Sequence, residues 1–386
     1  MKENWTYKKL GDVCQVVTGS TPKTNIPEYW SGKYPWITPA ELKGDTYIRD
    51  TERHITDKAV AHTNLTLMPI GTVLLSSRAP IGKVAITETE MYCNQGFKNL
   101  ICSDEINNKY LFLWLKGQTD YLNSLGRGAT FKEISKNIVE NIQIPLPPLS
   151  IQQSIVAELD EINNLLQLKK KELETFDKLA QSVFYEMFGD PVTNEKGWDV
   201  KKLGEIGTCV AGATPSTTVD NYWTNGTISW LSSGEVSKGR IYETDKKISQ
   251  MGYDSCSTKM IPAHTILIAM AGQGKTRGTV GVAEIPLCTN QSICSILTNE
   301  QIDVDFLYYQ IKYLYNELRS ASNGDGGRGG LSLKLIQKFS IITPSLSLQK
   351  TFSDRITAIE QQKEQVKASI NKLETLLASR MQYWFD

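Results

Sequence analysis

From Ile155 onward the apolar positions fall at Ile155, Leu159, Ile162, Leu166, Leu173, Phe176, Ala180, Val183 and Met187, with one charged interruption at Lys169. Steps alternating between four and three mark the seam of a coiled coil. A second stretch keeps the same register through Phe352, Ile356, Ile359, Val366, Ile370, Leu373, Leu377 and Trp384, interrupted by Lys363 and Arg380. Each stretch predicts a helix of roughly 37 residues and about 55 Å, against about 11–12 residues for an ordinary globular helix. Prolines lead into both, Pro145, Pro147 and Pro148 before the first and Pro344 before the second, with Ser150 and Ser345 or Ser347 as N-caps. Gly189 followed by Pro191 ends the first. Elsewhere short apolar runs at 71–77, 83–87 and 264–270 predict strands between Gly, Pro and Asn turns. One helix is predicted over 109–124 and another over 305–320, each followed by a glycine-rich loop.

These elements occur twice. The 26 residues from Trp5 align without a gap to those from Trp198, with 12 identities. Trp36 answers Trp230, Asn94-Gln95 answers Asn290-Gln291, and Phe188 answers Phe385. A period this long excludes a solenoid and makes each repeat a domain with its own core. The boundaries read as a first domain over 1–148, a helix over 149–190, a second domain over 191–345 and a second helix over 346–386. The second domain leaves the C-terminal end of one helix and feeds the N-terminal end of the other. A domain of about 15 Å radius bridges neighbouring helix ends more readily than ends about 55 Å apart. The expected fold is therefore α+β: two similar mixed α/β domains joined by two long helices packed as an antiparallel coiled coil, with pseudo-twofold symmetry. The matched tryptophans read as structural anchors.

Composition narrows the setting. The chain is 40% hydrophobic and 22% charged, typical of a soluble globular protein, and no apolar run approaches a membrane span. No secretory leader is apparent, and seven scattered cysteines without a CxxC pair fit reduced thiols, so a cytoplasmic location is expected. No Cys/His cluster has zinc-ligand spacing, and no metal is assigned. Net charge is zero, but residues 1–148 carry 17 basic and 15 acidic side chains, whereas 149–190 carry 4 and 8. A local basic face matters more than the total for nucleic-acid binding.

The doubled Gly19-Ser20-Thr21-Pro22 and Gly212-Ala213-Thr214-Pro215 segments, followed by Tyr29-Trp30 with Trp36 and by Tyr222-Trp223 with Trp230, carry a family resemblance. So do the Asn-Gln pairs, the Pro-Leu-Pro-Pro-Leu-Ser-Ile-Gln-Gln approach to the first helix, and its Phe184 to Asp190 ending. Over its whole length the chain resembles the specificity subunit of a type I restriction–modification system. The resemblance implies two target-recognition domains, each reading one half of a split double-stranded DNA site. It implies helices that dock two methyltransferase subunits, with restriction/translocase subunits joining the full complex. The chain itself is then not an enzyme and holds no cofactor. S-adenosylmethionine, ATP and Mg belong to the partner subunits. The sequence agrees, since it has no Asn/Asp-Pro-Pro-Tyr motif and no nuclease-like carboxylate–lysine cluster.

Base edges are read by Arg or Lys on guanine and Asn or Gln on adenine. Loops after strands offer Ser77, Arg78 and Lys83 in the first repeat, with Lys275, Thr276 and Arg277 as their counterparts in the second. The glycine-rich loops add Arg127, Thr130, Arg328 and Ser332. Asn94, Gln95, Asn290 and Gln291 fit DNA contact or a structural amide network equally. The stretch from Ala269 to Thr276 resembles a relaxed phosphate-binding loop, but Gly278, Thr279 and Gly281 break the helix such a loop needs. The alternative reading is a coiled-coil scaffold presenting two copies of a domain for a ligand other than DNA.

Overall fold

The apolar run Val73–Leu75 is buried on both faces because it is the middle strand of a five-stranded sheet. The computed structural model describes residues 5–78, 80–128, 132–272, 274–322 and 330–385. It divides into two units, Met1–Lys169 with Ser369–Asp386, and Lys170–Ala368. In the first, the sheet order is Cys14–Thr18, Lys98–Cys102, Val73–Leu75, Val84–Thr87 and Tyr47–Ile48, antiparallel except for the last pair. The second unit repeats it with Gly207–Ala211, Ile293–Thr298, Thr265–Ala269, Val280–Ala283 and Arg240–Ile241. A three-stranded sheet centred on Trp30–Ile37 recurs around Ile228–Leu231. A two-stranded ribbon, Thr6–Lys9 with Gln143–Leu146, recurs as Val200–Lys202 with Ser340–Ile342.

The single helices expected over 109–124 and 305–320 are each two. Asn108–Gly117 and Thr119–Ser124 meet at Gln118, and Val304–Tyr313 and Tyr315–Ala321 meet at Leu314. The cause is a tightened final turn. The Gln118 N–H donates to the Leu115 carbonyl at 3.1 Å, and the Leu314 N–H is shared between the carbonyls of Gln310 and Ile311. The bend leaves Leu122 and Leu318 fully buried.

The long helices are Leu149–Phe188 and Leu346–Phe385, 40 residues each. Ser150 is not the cap expected of it: it lies inside the first turn, and the Pro148 carbonyl accepts from Ile151 and Gln152 instead. Ser345 does stand immediately before the second helix. What anchors both starts is a buried glutamine. Gln152 Oε1 accepts from Asn107 N at 2.8 Å while its Nε2 donates to the Pro147 carbonyl at 2.8 Å. Gln349 makes the same pair with Asp303 N and the Pro344 carbonyl. Gly189, at φ +76°, closes the first helix with its N–H on the Tyr185 carbonyl.

The helices pack antiparallel. In the first unit the start of one meets the end of the other: Arg380 forks onto Glu158, and Trp384 Nε1 donates to the same carboxylate at 3.0 Å. In the second unit the end of one meets the start of the other, with Phe184 edge-on to Phe352 at 5.5 Å. Lys363, buried on the seam, reaches Asp177 and Glu360 at 2.9 Å each. Two of the charged interruptions are therefore interhelical ion pairs. The apolar stripe drifts near its end. Val183 and Met187 are only half buried, while Phe184 and Phe188 are fully buried against Phe306 as well as Phe352.

The hydrogen bond from Arg380 holds the Glu158 carboxyl below its ordinary range. Burial works to raise Asp177 and Glu360, but Lys363, with Lys312 on the one and Tyr309 on the other, outweighs it and lowers both. Carboxyls depressed in the folded state add stability above the unfolded pKa, and that stability is lost as pH falls through the folded values. The urea midpoint should therefore drop from pH 6 to pH 3. Lys363→Met should cost about 2 kcal/mol at pH 7, less than the 3–5 kcal/mol of a fully buried pair because Asp177 is half exposed, and should flatten the pH dependence. Urea titrations at both pH values check this. A pH-independent midpoint would contradict it.

Candidate nucleic-acid interface

Each unit ties its Gly-x-Thr-Pro segment, two tryptophans and Asn-Gln pair into one cluster. In the first, Ser20 N donates to the Cys93 carbonyl at 2.9 Å, Trp36 Nε1 to the Ser20 carbonyl at 3.0 Å, and the Thr21 hydroxyl to Gln95 Oε1. Trp30 stands edge-on to Trp36 at 5.1 Å. In the second, Trp230 Nε1 donates to the Ala213 carbonyl at 3.1 Å and the Thr214 hydroxyl to Gln291 Oε1 at 2.5 Å, with Trp223 edge-on to Trp230 at 5.0 Å. Asn94 and Asn290 each accept from the backbone N–H two residues on. The side-chain oxygens of all four amides are thus engaged within the fold, while Gln95 and Gln291 stay exposed. Glycine is required at the start of the motif, because a Cβ on Gly19 or Gly212 would overlap the carbonyl oxygen of Cys93 or Thr289.

Beside this shared frame the loop after the central strand differs between units. In the first, Ser77 is fully buried; its N–H donates to the Gly96 carbonyl and its hydroxyl accepts from Lys98 Nζ at 3.2 Å. Glu133 gathers the basic groups. Arg78 Nε donates to Glu133 Oε2 at 3.0 Å and Lys98 Nζ to Oε1 at 3.1 Å, while the Arg127 and Glu133 backbones exchange two hydrogen bonds. Burial works to raise the Glu133 carboxyl, but Lys98 and Arg78 outweigh it and hold it below its usual range. The structure therefore brings Ser77, Arg78 and Arg127 together, with both arginines exposed. A guanidinium fixed through Nε keeps its other N–H donors for a partner. Lys83 stands past the turn, half buried, with its N–H on Ser76 Oγ at 2.8 Å.

In the second unit the stretch from Ala269 to Thr276 leads from strand Thr265–Ala269 into strand Val280–Ala283, its antiparallel neighbour. No helix follows to cradle a phosphate, which settles the phosphate-loop resemblance in favour of a hairpin loop. Arg319 Nη1 donates to the Gly274 carbonyl at 2.7 Å and the Tyr315 hydroxyl to the Lys275 carbonyl at 2.8 Å, pinning the loop from below. The correspondence of Lys275, Thr276 and Arg277 with Ser77, Arg78 and Lys83 needs correction. Gly82 N donates to the Ser76 carbonyl as Gly278 N does to the Ala269 carbonyl, and both glycines have positive φ. Gly82 thus matches Gly278, Lys83 matches Thr279, and Ser77 matches Met270; the second loop is three residues longer. Ser332 is exposed, but its hydroxyl accepts from Leu335 N at 3.2 Å as a helix cap. Thr130 and Arg328 lie outside the described residues. Sequence reasoning missed Glu133, Lys98 and Arg319. The only available signal was weak: polar residues flanking the glycine-rich loops and strands.

Comparison with known proteins gives the frame a lineage. The type I restriction modification DNA specificity domain family matches residues 2–176 and again 195–375. The type I restriction enzyme MjaIX specificity subunit of Methanocaldococcus jannaschii is 32% identical, over 91% of this chain and 86% of its own length. The EcoR124I/EcoR124II specificity subunit of Escherichia coli is 25% identical, over 72% and 69%. The crystal structure of the type I system S subunit from M. genitalium superposes with a TM-score of 0.60 at 18% identity, covering 99% of this chain and 96% of that one. The chain belongs to the family of type I restriction–modification specificity subunits.

If the shared frame rests on the glycine contact, Gly212→Ala should destabilise the chain by about 2–3 kcal/mol through overpacking against backbone. Gly234→Ala, where a Cβ meets nothing within 4 Å, should have little effect. Urea denaturation of the two variants checks this, and equal midpoints would contradict it.

Proposed function

We propose that each unit of this specificity subunit reads one half of a bipartite double-stranded DNA site, and that the long helices dock two methyltransferase subunits and set the distance between half-sites. The chemistry lies with the partners. S-adenosylmethionine would serve the methyltransferase subunits, and ATP with Mg would serve the restriction/translocase subunits. The observation that carries the reading is the pairing of one repeated frame with two unlike polar loops. Arg78 and Arg127 are the proposed readers in the first unit, with Thr276 and Arg277 in the second, and Lys83 and Lys275 are proposed DNA contacts beside them. Thr130 and Arg328 remain proposed contacts on sequence grounds. Ser77 and Ser332 support their loops rather than reach bases, and the four Asn-Gln amides hold the frame. With zero net charge, much of the non-specific phosphate attraction would come from partner subunits.

Selection from a random duplex pool, using the full chain with its methyltransferase partner, should return a split target with an unspecified spacer. Retention of no sequence-specific DNA would favour the scaffold reading instead. Inserting one heptad in both helices lengthens each by about 10 Å, equivalent to about three base pairs at 3.4 Å each. The selected spacer should lengthen accordingly, or binding should fail. An unchanged spacer at full affinity would show that the helices do not set the distance.

A further inference from the structure

The loops that differ between the units adjoin a lysine-lined pocket that recurs in both. In the first unit a cavity of about 460 Å³ lies where the turn at Gly82 meets the helix Asn108–Gly117. Among the described residues lining it are Lys43, Lys83 and Lys116, and no carboxylate. In the second unit a cavity of about 640 Å³ lies at the matching place, where the turn at Gly278 meets the helix Val304–Tyr313. Lys238, Lys275 and Lys312 line it, together with Lys363, Lys367 and one carboxylate, Asp177.

The correspondence is detailed. Lys116 Nζ sits 5.7 Å from the ring of Phe112, one turn earlier, and Lys312 Nζ sits 6.0 Å from the ring of Tyr308. Both aromatic side chains are buried. Lys43 stands just past, and Lys238 at the end of, a short turn whose capping box pairs Thr38 with Glu41 or Ser232 with Glu235. The third position is the telling one. The first unit has Lys83, but the second has Thr279 there, and its cation returns from the inserted loop as Lys275. The residue changed and a lysine beside the turn stayed.

Three lysines lining one cavity gather positive charge there, and a lining that recurs in both units fits an anion. In the second unit carboxylates already partner most of these lysines: Lys312 lies 3.6 Å from Asp177, Lys238 reaches Glu235 and Asp245, Lys363 reaches Asp177 and Glu360, and Lys367 reaches Glu364, which leaves Lys275 to meet the anion. Lys43 lies 3.6 Å from Glu52, and both side chains are exposed. Lysine is a compact point charge suited to phosphate, without the planar fork that reads a base. Two domains that read different bases on the same polymer share only its backbone, and backbone contacts position a protein without conveying sequence.

We propose that the two pockets are equivalent phosphate seats, each holding a backbone phosphate of the DNA beside the half-site that its unit reads. This rests on the DNA reading above and adds a sequence-neutral anchor, distinct from the Arg78–Glu133 cluster.

The test is DNA affinity against salt concentration, by fluorescence anisotropy, with the full chain in complex with its methyltransferase partner. The duplexes are the selected target and a scrambled one. Lys83→Gln with Lys116→Gln should weaken both duplexes by the same factor and reduce the salt slope by about 1, for the one phosphate no longer neutralised. Lys238→Gln with Lys275→Gln should do likewise, and Lys83→Arg with Lys116→Arg should restore the slope. Urea midpoints confirm that each variant is folded. An unchanged slope with wild-type affinity overturns the proposal and leaves DNA recognition standing. A loss confined to the target makes these lysines base readers and also overturns it. Tight binding of inorganic tripolyphosphate, abolished in the variants while DNA affinity is untouched, would assign the pockets to a free anion instead. Failure of the unmodified complex to bind DNA would remove the reading on which the proposal rests.

Discussion

Two helices of 40 residues, each with an apolar stripe and few other apolar positions, cannot remain exposed to water. Everything else in the chain is arranged around the requirement that they bury those stripes on each other. The seam is not purely apolar, and its charges determine how it closes. Lys363 is almost fully buried and acceptable there only because Asp177 and Glu360 reach it. Arg380 needs Glu158 on the opposite helix. The two interhelical pairings, Lys363 with Asp177 and Arg380 with Glu158, exist in the antiparallel arrangement alone, so the same residues that tax burial also select direction. The buried Gln152 and Gln349 then fix each helix to the domain before it by satisfying backbone groups that a strand-to-helix junction would leave unpaired.

On that support the domains separate two tasks. A frame of glycine, threonine, tryptophan and amide contacts is built the same way twice and tolerates little change, because its parts interlock through backbone atoms. The loop after the central strand is bounded by the frame but not part of it. It carries Arg78 against Glu133 in one unit and a longer hairpin pinned by Arg319 in the other. A recognition protein needs this division: the frame fixes where a loop stands, and the loop's side chains are free to differ. The family membership of both repeats gives the division its meaning.

Much of the frame was legible from periodicity. The seam, the repeat and the helix-breaking glycines after Thr276 are local patterns, and local patterns reflect the backbone directly. Contacts between distant residues were not legible. Nothing near Arg78 announces Glu133, and nothing near Lys363 announces Asp177. The break at Gln118 follows Gly117, but the matching break at Leu314 carries no glycine or proline, and both leave a leucine, Leu122 or Leu318, buried. Ser77 looked like a loop hydroxyl but is enclosed by Lys98, and Ser332 looked like a reader but caps a helix. The match of Lys83 to the second loop failed because counting shows that three residues are inserted near Gly272 but not on which side of the turn, whereas the hydrogen bonds at Gly82 and Gly278 place them.

The central claim is that the two units specify independently. The most direct measurement replaces residues 195–345 by those of a family member with a different target, and then selects the recognised DNA from a random pool. The account predicts that one half of the split site changes to that of the donor while the other half and the spacer are retained. A simultaneous change in both halves would contradict it.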